Sequence, residues 1–99
     1  MKRLFPQPKR KRRGFCVFPG YNWCGPGCSG PGAPINEVDS CCMQHDICYQ
    51  QYGPSCYCDR VFMDCLRRKI NPYTPEGRHA RTLYNYMKLQ QMFTCSFFR

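Results

Sequence analysis

Two stretches decide the fold: Cys41-Cys42-Met43-Gln44-His45-Asp46-Ile47-Cys48, and Cys56-Tyr57-Cys58-Asp59-Arg60-Val61-Phe62-Met63-Asp64-Cys65. Cys41 and Cys48 are seven residues apart, as are Cys58 and Cys65, so each pair lies on one face of a helix, two turns apart. Gly53-Pro54 between the stretches stops the first helix, and so short a linker makes the two helices antiparallel neighbours. Antiparallel helices bring together positions whose numbers add to a constant, and 41 with 65 shares that constant with 48 and 58. Disulfides Cys41–Cys65 and Cys48–Cys58 therefore staple the helices at two levels. His45 lies between the two cysteines of its helix and faces the second helix, where Asp59 can approach it. An imidazole opposite a carboxylate is the arrangement of a general base with an orienting partner. Asp46 is turned about 100° from His45 and can point at the preceding loop, which Cys24 could tie to Cys42. One carboxylate and loop carbonyls suit a hard cation.

Outward from this pair, the chain is poor in core-forming side chains. Only 17 of its 99 residues are Leu, Ile, Val or Phe, the formal charge is +9, and mean hydropathy is −0.61. Burial alone does not hold such a chain together, and the ten cysteines mark a disulfide scaffold made in an oxidising compartment. A conventional hydrophobic-core domain, a multidomain enzyme and a membrane-spanning chain are excluded. The cysteine spacings Cys24-x3-Cys28, Cys41-Cys42 and Cys56-x-Cys58 form no pair of zinc knuckles.

Residues 1–13 carry seven basic side chains and no acid, so a flexible basic tail is expected to precede a domain over 14–99. That domain has eight basic and six acidic groups and is nearly neutral. The tail is either a solvated extension or an electrostatic anchor for an anionic partner such as a lipid surface. It lacks the apolar stretch of a signal peptide. Residues 14–35 hold six glycines and four prolines and read as a folded loop that needs pinning. Asn36 is the N-cap of a helix over about 37–52, with Asp39 at N3 in a variant capping box. Ser55 caps a second helix through about Lys69, and Thr74-Pro75-Glu76 starts a third. Ala80, Leu83, Tyr84 and Met87 give that third helix an apolar stripe that reads as core packing.

The run from Cys41 to Tyr49 resembles the C-C-x-x-H-D-x-C signature of secreted phospholipases A2. Pro19-Gly20-Tyr21-Asn22-Trp23-Cys24-Gly25-Pro26-Gly27 is similar to that family's calcium loop, in the form closest to the group III, venom-type branch. Cys56-Tyr57-Cys58-Asp59 with Phe62, Asp64 and Cys65 resembles the branch's second catalytic helix. Gly20-Tyr21 and Gly25-Pro26-Gly27 also fit the loop of the phospholipase domains of parvovirus capsids.

The resemblance implies an all-α, disulfide-rich fold of two stapled antiparallel helices and a C-terminal helix behind a calcium-binding loop. It implies that the carbonyls of Trp23, Gly25 and Gly27 and the carboxylate of Asp46 bind Ca²⁺. His45 would activate water against the sn-2 ester of a glycerophospholipid, with Asp59 steadying the imidazolium and the Gly25 amide facing the oxyanion. Tyr49 matches a tyrosine that bonds the aspartate in many relatives, or else packs in the core. The family's disulfides include Cys24–Cys42 and the two staples. The group III pattern adds Cys56–Cys95 and leaves Cys16 and Cys28 for each other.

The chain also departs from the resemblance. The loop after Gly27 is long, the linker between the helices is short, and no amphipathic helix precedes the calcium loop. Phe18, Trp23, Ile35, Met43 and the third-helix stripe are the candidates for lining an acyl channel, and Phe97-Phe98-Arg99 for meeting a membrane. The expected activity is calcium-dependent release of a fatty acid from a phospholipid surface, outside the cell or in another oxidising compartment, with no need of nucleic acid. The alternatives are a catalytically silent relative that binds membranes or a receptor, and a basic antimicrobial protein.

Overall fold

A computed structural model describes residues 16–25 and 27–97; residues 1–15, which include the basic tail, Pro26, the Phe97 side chain and Phe98-Arg99 lie outside the described residues. Three helices follow the loop: α1 (Glu37–Tyr52), α2 (Cys56–Arg67) and α3 (Pro75–Phe97). No strand occurs among the described residues, so the fold is all-α and disulfide-rich.

Local signals set the helix ends. The Asn36 side chain accepts the Asp39 amide at 2.8 Å, and Gly53, at φ 74°, closes α1 by donating to the Tyr49 carbonyl at 2.7 Å. Ser55 accepts the Cys58 amide at 3.1 Å to open α2. That helix ends at Arg67, two residues before the expected Lys69, where the chain tightens into turns with Lys69 N–H on the Leu66 carbonyl. Thr74 Oγ1 accepts the Gly77 amide at 3.0 Å and starts α3 just before Pro75. Gly77 is buried because the backbone of Asn71 packs directly on its Cα, and a Cβ there would collide with Asn71 atoms.

All ten cysteines are bonded: Cys16–Cys28, Cys24–Cys42, Cys41–Cys65, Cys48–Cys58 and Cys56–Cys95. The second ties the loop to α1, the next two staple α1 to α2, and the last fastens the end of α3 to the start of α2. The core is a small cluster of Val38, Phe62, Met63, Leu66, Ala80, Leu83 and Met87 packed with half-cystines and Tyr21. Ala80, Leu83 and Met87 are the inward face of α3, as their spacing requires, and Tyr84 packs at its margin. α3 packs chiefly on α2 and more lightly on α1. No helix among the described residues is long and apolar enough to cross a membrane.

Candidate active site

The staples bring His45 of α1 against Asp59 of α2, with Nε2 to Oδ1 at 2.8 Å. Asp59 is fully buried and accepts two further hydrogen bonds. Tyr49 donates to Oδ1 at 2.6 Å and Thr94 of α3 donates to Oδ2 at 2.7 Å. Burial pushes the Asp59 carboxyl up, but the hydrogen bonds from His45, Tyr49 and Thr94 outweigh it and hold the group below the ordinary carboxylate range. An ionised carboxylate only accepts, so His45 carries its proton on Nε2 and leaves Nδ1 as the basic nitrogen. The His45 side chain is 12 % exposed and stacks on Phe62, with centroids 4.2 Å apart and planes 16° apart. Tyr49 is itself fixed by Gln90, whose amide donates to its oxygen at 3.1 Å and commits the phenol hydrogen to Asp59. Burial and the neighbouring Asp59 carboxylate push the Tyr49 phenol up, so it stays neutral and donating.

The loop is built around a second buried carboxylate. Asp39 Oδ1 accepts the Trp23 amide at 2.8 Å, and Oδ2 accepts those of Asn22 and Ile35, each at 3.1 Å. These bonds replace the capping-box role expected for its side chain: the carboxylate turns outward from α1 to satisfy loop amides that have no other partner among the described residues. Trp23 Nε1 donates to the Gly32 carbonyl at 3.0 Å, and its ring lies so close to Gly30 that a Cβ there would meet it at 2.8 Å. Phe18 stacks on His79 of α3 with centroids 3.9 Å apart, and Tyr21 bonds His79 Nδ1 at 2.8 Å. Phe18 and Trp23 thus pack the loop against the core, whereas Ile35 is exposed and Met43 half-buried.

Asp46 points at this loop, where Ser29 Oγ donates to its Oδ2 at 3.2 Å. Burial raises its carboxyl above the usual value, with Ser29 and His45 opposing the shift and Asp39 adding to it. Trp23, Gly25 and Gly27 lie on the loop itself, with Gly25 at φ 135° and Gly27 at φ 75° turning the backbone. No group of three or more acidic, His or Cys side chains able to hold a metal occurs among the described residues, so a cation here relies on loop carbonyls. The Asp46 carboxylate is half-buried and its single hydrogen bond among the described residues comes from Ser29, while the Gly25 carbonyl accepts the Cys28 amide at 3.0 Å. A carboxylate joined by loop carbonyls would be an oxygen-only donor set of the kind that suits Ca²⁺.

Asp39, Gln90 and Thr94 are absent from the sequence-based candidates. Gln90 and Thr94 continue the inward face of Leu83 and Met87, and that continuation was the available signal.

A family model described as a phospholipase A2-like domain matches residues 14–58, which hold the loop, α1 and the start of α2. The loop, α1 and the start of α2 thus match the phospholipase A2 family. It is 47 % identical over 45 residues to phospholipase A2 A2-actitoxin-Cgg2a of Condylactis gigantea, covering 42 % of this chain and 36 % of that protein. A phospholipase A2 of Ovis aries is 35 % identical over 74 residues, covering 75 % of this chain and 47 % of the relative. Basic phospholipase A2 Cdr-13 of Crotalus durissus ruruima is 28 % identical over 95 residues, covering 68 % and 75 %. The chain thus spans about a third to a half of the length of the anemone and sheep phospholipases. No solved structure is significantly similar. Five disulfides and these relatives fit an extracellular protein.

Proposed function

We propose that the chain hydrolyses the sn-2 ester of glycerophospholipids in a calcium-dependent reaction. The observation that carries this reading is the His45–Asp59 hydrogen bond, at 2.8 Å, on the residue next to an Asp46 carboxylate turned toward a carbonyl-rich loop. His45 Nδ1 takes a proton from the attacking water, and Asp59, held ionised by its donors, stabilises the imidazolium that results. The same nitrogen returns the proton to the leaving alkoxide. The Gly25 amide is assigned to the developing oxyanion. The carbonyls of Trp23, Gly25 and Gly27 with Asp46 would hold Ca²⁺, which when bound supplies Lewis-acid stabilisation of the ester oxygen. Asp39 keeps the loop in place by fixing the Asn22, Trp23 and Ile35 amides.

The substrate enters from a lipid surface. Tyr86, Leu89 and Phe93 are exposed at helical spacing on α3, flanking Gln90 and therefore the Tyr49–His45 side of the site. Residues 1–13 add a basic anchor for an anionic membrane. Release of fatty acid from a phospholipid with free Ca²⁺, and its loss with chelator, is the expected result. Calcium-independent hydrolysis, or vesicle binding without any hydrolysis, overturns the catalytic reading. Deleting residues 1–13 is expected to leave turnover on monomeric lipid intact while weakening salt-sensitive binding to anionic vesicles.

A further inference from the structure

Asp59 is the point where all three helices converge, and the donor from α3 is the one that the family-model match over residues 14–58 does not include. We infer that Thr94, supported by Gln90, is a positioning residue that fixes the Asp59 carboxylate and through it the tautomer and ring orientation of His45. This inference rests on the hydrolytic reading for its kinetic consequence only.

The geometry is specific. Thr94 is 6 % exposed and its single hydroxyl hydrogen goes to Asp59 Oδ2 at 2.7 Å, since the alternative acceptor, the Gln90 carbonyl, is 3.5 Å away. His45 and Tyr49 both bond Oδ1. With Oδ2 held by Thr94, the carboxylate cannot rotate about its Cβ–Cγ bond without breaking a buried hydrogen bond. Oδ1 therefore stays aimed at His45 Nε2, and the proton stays on that nitrogen. Gln90, one turn before Thr94 on the same face of α3, orients the Tyr49 phenol toward the same oxygen. Cys95 directly follows Thr94 and is bonded to Cys56, three residues before Asp59, so a covalent link sets the distance across which the hydroxyl reaches. A buried threonine hydroxyl is a costly way to fill a helix face unless its hydrogen bond is used. A Val side chain has nearly the same shape.

The test compares Thr94→Val with Thr94→Ser in the full chain, folding being checked by circular dichroism. In the wild type, the His45 Nε2–H proton and the Thr94 hydroxyl proton are expected as slowly exchanging resonances in the proton NMR spectrum, the former at low field. Thr94→Val is expected to broaden or abolish the His45 resonance, and Thr94→Ser to restore it. On phospholipid, Thr94→Val lowers kcat on the order of tenfold with KM unchanged, as befits loss of a hydrogen bond to a charged group, and Thr94→Ser recovers most of it. A His45 resonance that is the same in Thr94→Val and the wild type overturns the inference. If Thr94→Val fails to fold, a rapidly exchanging Thr94 hydroxyl in the wild type overturns it equally. The resonances are read without substrate, so an inactive wild type would refute the hydrolytic reading and leave this test standing.

Discussion

The α1–α2 pair and α3 contribute to one site by different means. α1 and α2 are stapled by Cys41–Cys65 and Cys48–Cys58, whose Cα atoms are 5.8 Å apart in each bond, and these levels bracket His45. α3 touches the site through Thr94 and, via Tyr49, Gln90, and a single disulfide fastens it. Covalent staples bring the imidazole and the carboxylate to the same place; hydrogen bonds from the third helix decide how the carboxylate is turned. A small chain with little apolar area uses both, because neither alone fixes a side chain to the fraction of an ångström that proton transfer needs.

The largest expected effect falls on the stapled pair. His45→Gln removes the proposed base and is expected to lower turnover by about 10³-fold or more with the fold intact, measured as fatty-acid release beside a circular dichroism spectrum. Asp59→Asn comes next. Its amide offers one acceptor where three donors converge, so turnover drops and unfolding in denaturant comes earlier by about 3 kcal/mol.

Acid probes the same group. The folded carboxyl of Asp59 lies below its ordinary value, so its contribution to stability is complete above that value and is lost as pH falls through the depressed one. Wild type is therefore expected to lose more stability than Asp59→Asn between about pH 5 and pH 2. Parallel acid titrations of the two would remove Asp59 from the stability account.

Smaller effects separate the loop and α3 from the pair. Asp39→Ala strips three loop amides of their acceptor and is expected to cost about 2 kcal/mol and to weaken calcium binding by isothermal titration, while the staples keep α1 on α2. Gly77→Ala pushes a methyl into Asn71 and is expected to lower stability by about 1–3 kcal/mol. Turnover at a temperature where the variant stays folded should change little. A large loss of activity there would tie the start of α3 to the chemistry.

The division also explains what was legible in the sequence. Helix α1 has the bounds its caps dictate, because Asn36 and Gly53 act through local hydrogen bonds. The staples follow from cysteine spacing because a covalent bond demands one register, and that register alone sets His45 against Asp59. From sequence Asp39 reads as part of a cap, since a sequence shows its neighbours along the helix and not the loop amides folded over it. Thr94 and Gln90 do not stand out in the sequence, because polar residues on an amphipathic helix read as solvent-facing. Their partners are 35 and 41 residues away, across a contact that only the packed fold creates.

The most direct measurement uses a phospholipid with distinguishable acyl chains at sn-1 and sn-2, incubated with wild type and with folded His45→Gln in the presence of Ca²⁺. Release of the sn-2 chain by wild type alone, abolished by chelator, is the expected result. Equal release by His45→Gln, or release of the sn-1 chain, would contradict it.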